Sequence, residues 1–166
     1  LGSIPSKGKK ANQKEIKRKI MKSDQNQPIV LERTFNAPVS EVWEAITDKD
    51  KMKYWYFDIK EFKAEVGFAF QFTAGDENRQ YLHLCKVTEV IPQKKLAYTW
   101  KYDYDPGIST VTFELYQEGD KTRLKLTHAG LETFSKDHPE LAKENFIEGW
   151  NQIIHTNLKK YLEEQS

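Results

Sequence analysis

The chain is short of several things, and each shortage excludes something. It has one cysteine, Cys85, in 166 residues. A single thiol closes no disulfide within the chain and cannot build a cysteine-rich metal site. No apolar run approaches the ~20 residues that a membrane-spanning helix needs. The first residues also lack the apolar stretch of a signal peptide. The four histidines, His83, His128, His138 and His155, are scattered without metal-ligand spacing. There is no G-x-S-x-G, no G-x-G-x-x-G and no phosphate-binding loop. The expectation is a soluble, cytoplasmic protein with no cofactor, no membrane span and no evident catalytic motif.

Net charge is scarce too, with 26 Lys and Arg against 25 Asp and Glu. Residues 1–20 hold seven of the bases and one of the acids, Glu15, which leaves 19 bases against 24 acids for the rest. A mildly acidic body has no footprint for nucleic-acid phosphates. The basic segment has few apolar residues and no periodicity, so residues 1–27 read as a disordered or non-native tail. Gly2-Ser3 resembles a cloning remnant, and Met21 opens an ordinary N-terminus, MKSDQNQP. The competing reading is a basic arm for nucleic acid or membrane.

What is present is rings: aromatics make up 13 % of the chain. Residues 28–166 read as one domain. PIVLERTF, residues 28–35, has the β-branched and aromatic content of a strand. Asn36-Ala37-Pro38 breaks it. Ser40 has N-cap chemistry, and Val39, Val42, Trp43 and Ile46 recur at helical spacing. Asp48 caps a second short helix that ends near Trp55. Strand patterns follow at Asp58 to Ala64 (with Ile59 and Phe62), Phe68 to Phe72, Tyr81 to Ile91, Leu96 to Tyr102, Ile108 to Tyr116 and Thr122 to His128. Short turns such as Glu118-Gly119-Asp120 separate them, which predicts an antiparallel meander. Pro139 suits a first helical turn, and the chain reads helical from there to Glu164. Phe146, Trp150, Ile153 or Ile154, Asn157 or Leu158, and Tyr161 form one stripe, and Gly149 would let that helix lie close to a sheet. The fold class is α+β: a curved antiparallel sheet of about six or seven strands wrapped around a long C-terminal helix, with two short helices after the first strand.

This order resembles the helix-grip fold of the START-like, or SRPBCC, superfamily. The local words resemble its branch homologous to the activator of heat-shock-protein-90 ATPase. Those words are Arg33-Thr34-Phe35, Ala37-Pro38, Val42-Trp43, Ala45, Thr47, then Trp55, Gly67 before an aromatic strand, and Gly149-Trp150 followed by Leu158 and Leu162. The branch often has Gly-Gly where this chain has Val66-Gly67. The resemblance implies that Trp43 packs the helix pair onto the sheet. It also implies a cavity between sheet and helix, a small hydrophobic ligand, and, through the family name, a link to stress response. Two alternatives stay open: a co-chaperone-like modulator of a heat-shock-protein-90 ATPase, and a cavity enzyme of cyclase or hydrolase type. A protein partner or homodimer is also open.

No residue reads as catalytic or metal-binding. The candidates for the wall of a ligand cavity are Trp43, Trp55, Phe62, Phe70, Phe72, Tyr81, His83, Tyr98, Trp100, Phe113 and Trp150. A packed core and a cavity wall give the same pattern, so each is equally readable as core. His83 shares a face with Tyr81, Cys85 and Val87, and needs a partner if that face is buried. Glu32 and Glu114 read as solvated, and Arg79, Lys101 and Lys125 as outer-face charges.

Overall fold

The computed structural model describes residues 26–164. The tail reading for residues 1–27 and the Met21 start therefore lie almost wholly outside the described residues. β1 (Ile29–Phe35) leads through Ala37-Pro38 into α1 (Val39–Thr47) and α2 (Lys49–Trp55). Five strands follow: β2 (Ala69–Gly75), β3 (Gln80–Ile91), β4 (Lys95–Tyr102), β5 (Ser109–Glu118) and β6 (Lys121–Ala129). Short 3-10 turns at Leu131–Thr133 and Pro139–Leu141 lead to α3 (Lys143–Asn151), a π-helical segment (Gln152–Leu158) and α4 (Lys159–Glu163). Asn151, Gln152, Leu158 and Lys159 keep right-handed helical backbone angles, so these three pieces form one continuous final helix.

All neighbours in the six-stranded sheet are antiparallel, in the order β1-β6-β5-β4-β3-β2. The chain crosses from β1 to the far edge at β2, then meanders back until β6 meets β1. Strand alternation puts one set of side chains on the concave face. Phe72, His83 and Tyr102 form one cross-strand row there, and Phe70, Cys85, Trp100 and Ser109 form the next. The final helix lies over this face and buries Trp150, Ile154 and Leu158. Removing these rings and aliphatic chains from water is the main stabilising term, at ~25 cal/mol per Å² of apolar surface.

Four local expectations need correction. Asp58–Ala64 is not a strand, so the sheet has six strands rather than seven. Ile59 and Phe62 are both buried, but three residues apart, and a strand can bury one face only at every second residue. Helix α1 is capped by the backbone of Pro38, whose carbonyl accepts from Glu41 N and Val42 N; Ser40 already lies inside the helix. Asp48 does cap α2, with its carboxylate accepting from Asp50 N at 2.9 Å. Pro139 starts only a single 3-10 turn, because Ala142 is extended and α3 begins at Lys143. Finally, a Cβ on Gly149 would meet nothing within 4 Å, so this glycine faces open space and does not bring the helix closer to the sheet.

Trp43 is only half-buried, and Val42, Ala45 and Ile46 form the buried face of α1. The helix pair is anchored by Trp55, which is almost fully buried and donates its indole N–H to the Ala45 carbonyl at 2.9 Å. The β2–β3 hairpin turns tightly at Gly75, where a Cβ would fall 2.1 Å from the Arg79 carbonyl oxygen.

Candidate functional site

Sheet and helix do not fill the space between them. A cleft of about 520 Å³ opens where the ends of β2, β3 and β4 face α3. Its apolar walls are Phe57, Trp100, Phe146, Trp150 and Ile153. Tyr81, His83 and Tyr102 supply polar atoms from the sheet, Asp76, Glu140 and Asn145 supply them at the rim, and Gly149 leaves the helix side open. The volume lies in the ordinary range for a small-molecule site. A larger groove of about 860 Å³ follows Leu131, Phe134, His138 and Leu141, but no β-strand contributes to its lining.

Of the residues singled out from sequence, Tyr81, His83, Trp100 and Trp150 line the cleft. Phe72 lies one layer behind, stacked on His83 at 4.5 Å and on Phe57 at 4.5 Å. Phe70 and Phe62 meet edge to face in the core. Tyr98 and Phe113 are buried, with Phe113 edge-on to Trp150, Trp55 is the helix anchor, and half-buried Trp43 packs against the core away from the cleft. Phe57, Tyr102 and Glu140 join the cleft without a motif to mark them in the sequence, and Phe146 joins it from the final helix's apolar stripe. The run Tyr54-Trp55-Tyr56-Phe57 was the available signal for Phe57. Helix α2 ends at Trp55, and the departing chain swings Tyr56 and Phe57 over the concave face. There Tyr56 stacks on Trp150 at 6.0 Å and shares a hydrogen bond with the Tyr98 hydroxyl at 2.5 Å.

Among the described residues, each buried side-chain nitrogen or oxygen has at least one hydrogen-bond partner. Trp150 donates Nε1–H to His128 Nδ1 at 2.9 Å. An indole nitrogen can only donate, so the His128 proton must sit on Nε2. From there it reaches Ser109 Oγ at 2.7 Å, and the Ser109 hydroxyl donates to the Trp100 carbonyl at 3.1 Å. This relay ties the final helix to three strands. Burial holds the His128 pKa down at about 3, so the imidazole stays neutral.

His83 is also neutral. Burial lowers its pKa to about 4, against the opposing pull of the Tyr81 and Phe72 carbonyls. Its Nδ1–H donates to the Tyr81 carbonyl at 2.9 Å. The Cys85 thiol and the Tyr102 phenol are pushed upward, chiefly by burial, so both keep their protons. Tyr102 accepts the Trp100 indole N–H at 3.0 Å.

The rim is charged. Arg79 lies 4.7 Å from the ring centres of both Tyr81 and Tyr104 and 3.6 Å from Glu140. Tyr104 donates its hydroxyl to the same Glu140 oxygen at 2.9 Å. Burial opposes ionisation of Glu140, yet its own backbone N–H, Tyr104, Arg79 and His138 together hold its pKa below the usual carboxylate value. Behind it, buried Asp105 accepts from Gly107 N, Ser135 N and His138 Nδ1, the last at 2.6 Å. Arg79 is exposed, as expected of an outer-face charge, but it also packs on two rings of the rim.

Among solved structures, protein MLL2253 from Mesorhizobium loti is 28 % identical with a TM-score of 0.71, covering 84 % of this chain and 99 % of that one. CalU16 from Micromonospora echinospora is 26 % identical with a TM-score of 0.61, covering 82 % of this chain and 76 % of that one. DynU16, a protein of the dynemicin biosynthetic locus, shares the fold at 22 % identity and a TM-score of 0.68; the match covers 82 % of this chain and 47 % of that one. No curated protein matches the chain. Residues 36–163 match the family described as Activator of Hsp90 ATPase homolog 1-like protein. With its helix-grip architecture and these neighbours, the chain belongs to that family, a branch of the START-like, or SRPBCC, superfamily.

Proposed function

We propose that this protein is a cytoplasmic binding module for a small, largely aromatic molecule, held between the concave sheet and the final helix. The observation that carries this reading is the cleft of about 520 Å³ bounded by Trp100, Trp150 and Phe57. Trp100 packs against both Trp150 at 5.8 Å and Phe57 at 6.3 Å, so the three form a contiguous aromatic surface that favours an apolar ring, and a few polar atoms fix its orientation. Two tryptophans on the wall supply a direct readout. Titration with 8-anilinonaphthalene-1-sulfonate and with 2-isopropylnaphthalene should quench or shift tryptophan fluorescence saturably, at one site per chain. Linear, non-saturating signals with both would overturn the reading.

One observation favours a second reading, a cavity enzyme. His83 and Tyr102 are neighbours on the cleft wall, with ring centres 4.8 Å apart, and both are neutral near pH 7. A neutral imidazole and a neutral phenol could exchange a proton with a carbonyl compound. Recovery of bound molecules unchanged after long incubation would favour the binding module; chemically altered ones would favour the enzyme. Modulation of a heat-shock-protein-90 ATPase has only the family description behind it, and an unchanged ATPase rate with added protein would remove it.

A further inference from the structure

The Tyr102 hydroxyl has an asymmetric set of partners. Tyr102 as a whole residue is 4 % exposed, and its hydroxyl oxygen accepts the Trp100 indole N–H at 3.0 Å. Because that indole can only donate, the phenolic proton is left to point elsewhere. No acceptor for it exists among the described residues, since the Trp100 bond is the one hydrogen bond of the Tyr102 side chain. The proton is also firmly held, because burial keeps the phenol neutral. Tyr102 lines the cleft beside His83 and Trp100, and the acceptor that its O–H lacks within the protein can be supplied from the cleft. The pattern is that of a preset donor.

An apolar body that fills the cleft expels water from this hydroxyl. If the body carries no acceptor, the O–H is left buried and unpaired, at a cost that exceeds the usual gain from a hydrogen bond. The site therefore discriminates by what it would strand. We propose that the natural ligand carries an oxygen acceptor, a carbonyl or ether conjugated to an aromatic body, that receives the Tyr102 O–H. This rests on the ligand-binding reading and narrows its chemical class.

The test uses two probes of matched shape, 2-acetylnaphthalene and 2-isopropylnaphthalene, with the full chain and its Tyr102→Phe variant. The protein should bind the ketone about tenfold more tightly than the hydrocarbon, the scale of one buried hydrogen bond made or left unmade. Tyr102→Phe should abolish that preference by weakening the ketone alone. The stretching frequency of a 13C-labelled ketone should fall on binding and recover in the variant. Near-ultraviolet circular dichroism establishes that the variant is folded, and if it is not, the carbonyl shift in the unmodified protein decides. Equal binding of both probes by the unmodified protein, a preference that survives in the variant, or an unshifted carbonyl would overturn the proposal. Saturable binding of neither probe would instead overturn the ligand-binding reading itself.

Discussion

Trp150 donates its indole N–H to His128 Nδ1 at 2.9 Å, and this bond joins the final helix to the concave face of the sheet. Trp150→Phe removes the donor and strands a buried acceptor. It also shortens a side chain that packs against Tyr56, Trp100 and Phe113. We expect a loss of roughly 2–4 kcal/mol in urea unfolding. A loss below about 0.5 kcal/mol would mean that the relay through His128 and Ser109 contributes little.

Acid should unfold this protein through its buried imidazoles. His83 and His128 have folded pKa values of about 4 and about 3, against an ordinary value of 6.5. Each binds a proton more readily in the unfolded chain, so stability is full above pH 6.5 and falls as pH drops through the folded values. The loss by pH 4 is on the order of 3 kcal/mol for each imidazole. Urea midpoints measured from pH 7.5 to 4 should fall steadily across this window. A flat profile would mean that neither ring is held neutral.

Gly149 separates stability from occupancy. A Cβ there meets open space, so Gly149→Ala should stabilise the helix by up to ~1 kcal/mol. Gly149→Phe should place a ring in the cleft and weaken naphthalene probes at least tenfold without unfolding the chain. Probe binding that is unchanged by Phe would place the occupied site elsewhere.

Gly75 has no such freedom, with the Arg79 carbonyl 2.1 Å from where a Cβ would sit. Gly75→Ala must open the β2–β3 hairpin, at a cost of roughly 1–3 kcal/mol. It should also pull Arg79 away from Tyr81 and Tyr104. A thermal midpoint within 1 °C of the unmodified protein would contradict this geometry.

The architecture was legible because alternation and helical spacing are local signals. Phe70 and Phe72, Tyr98 and Trp100, and Leu124 and Leu126 each mark a strand by their own neighbours. The cleft was legible only in part. Tyr81, His83, Trp100 and Trp150 line it, but Tyr98 and Phe113 share the strand alternation and are packed core, because only the curvature of the sheet decides which rings the helix covers. Tyr102 ended a strand and looked like one more alternating ring. Its role depends on the direction of a single indole bond, which periodicity does not encode. His128 looked isolated because its partners, Ser109 and Trp150, are 19 and 22 residues away in sequence.

The pairing of β1 with β6 also sets the order in which this chain can fold. The hairpins from β2 to β6 close over short turns, whereas Ile29 pairs with His128, about a hundred residues away. The loop-closure entropy of that pairing is recovered only once β6 exists as a template. By this argument β1 should dock only after the meander has formed. Until then β6 presents an open edge of unpaired backbone groups. A chain that loses β1, or binds it slowly, exposes this edge to other copies, so the first strand acts as the guard against aggregation as well as a wall of the sheet.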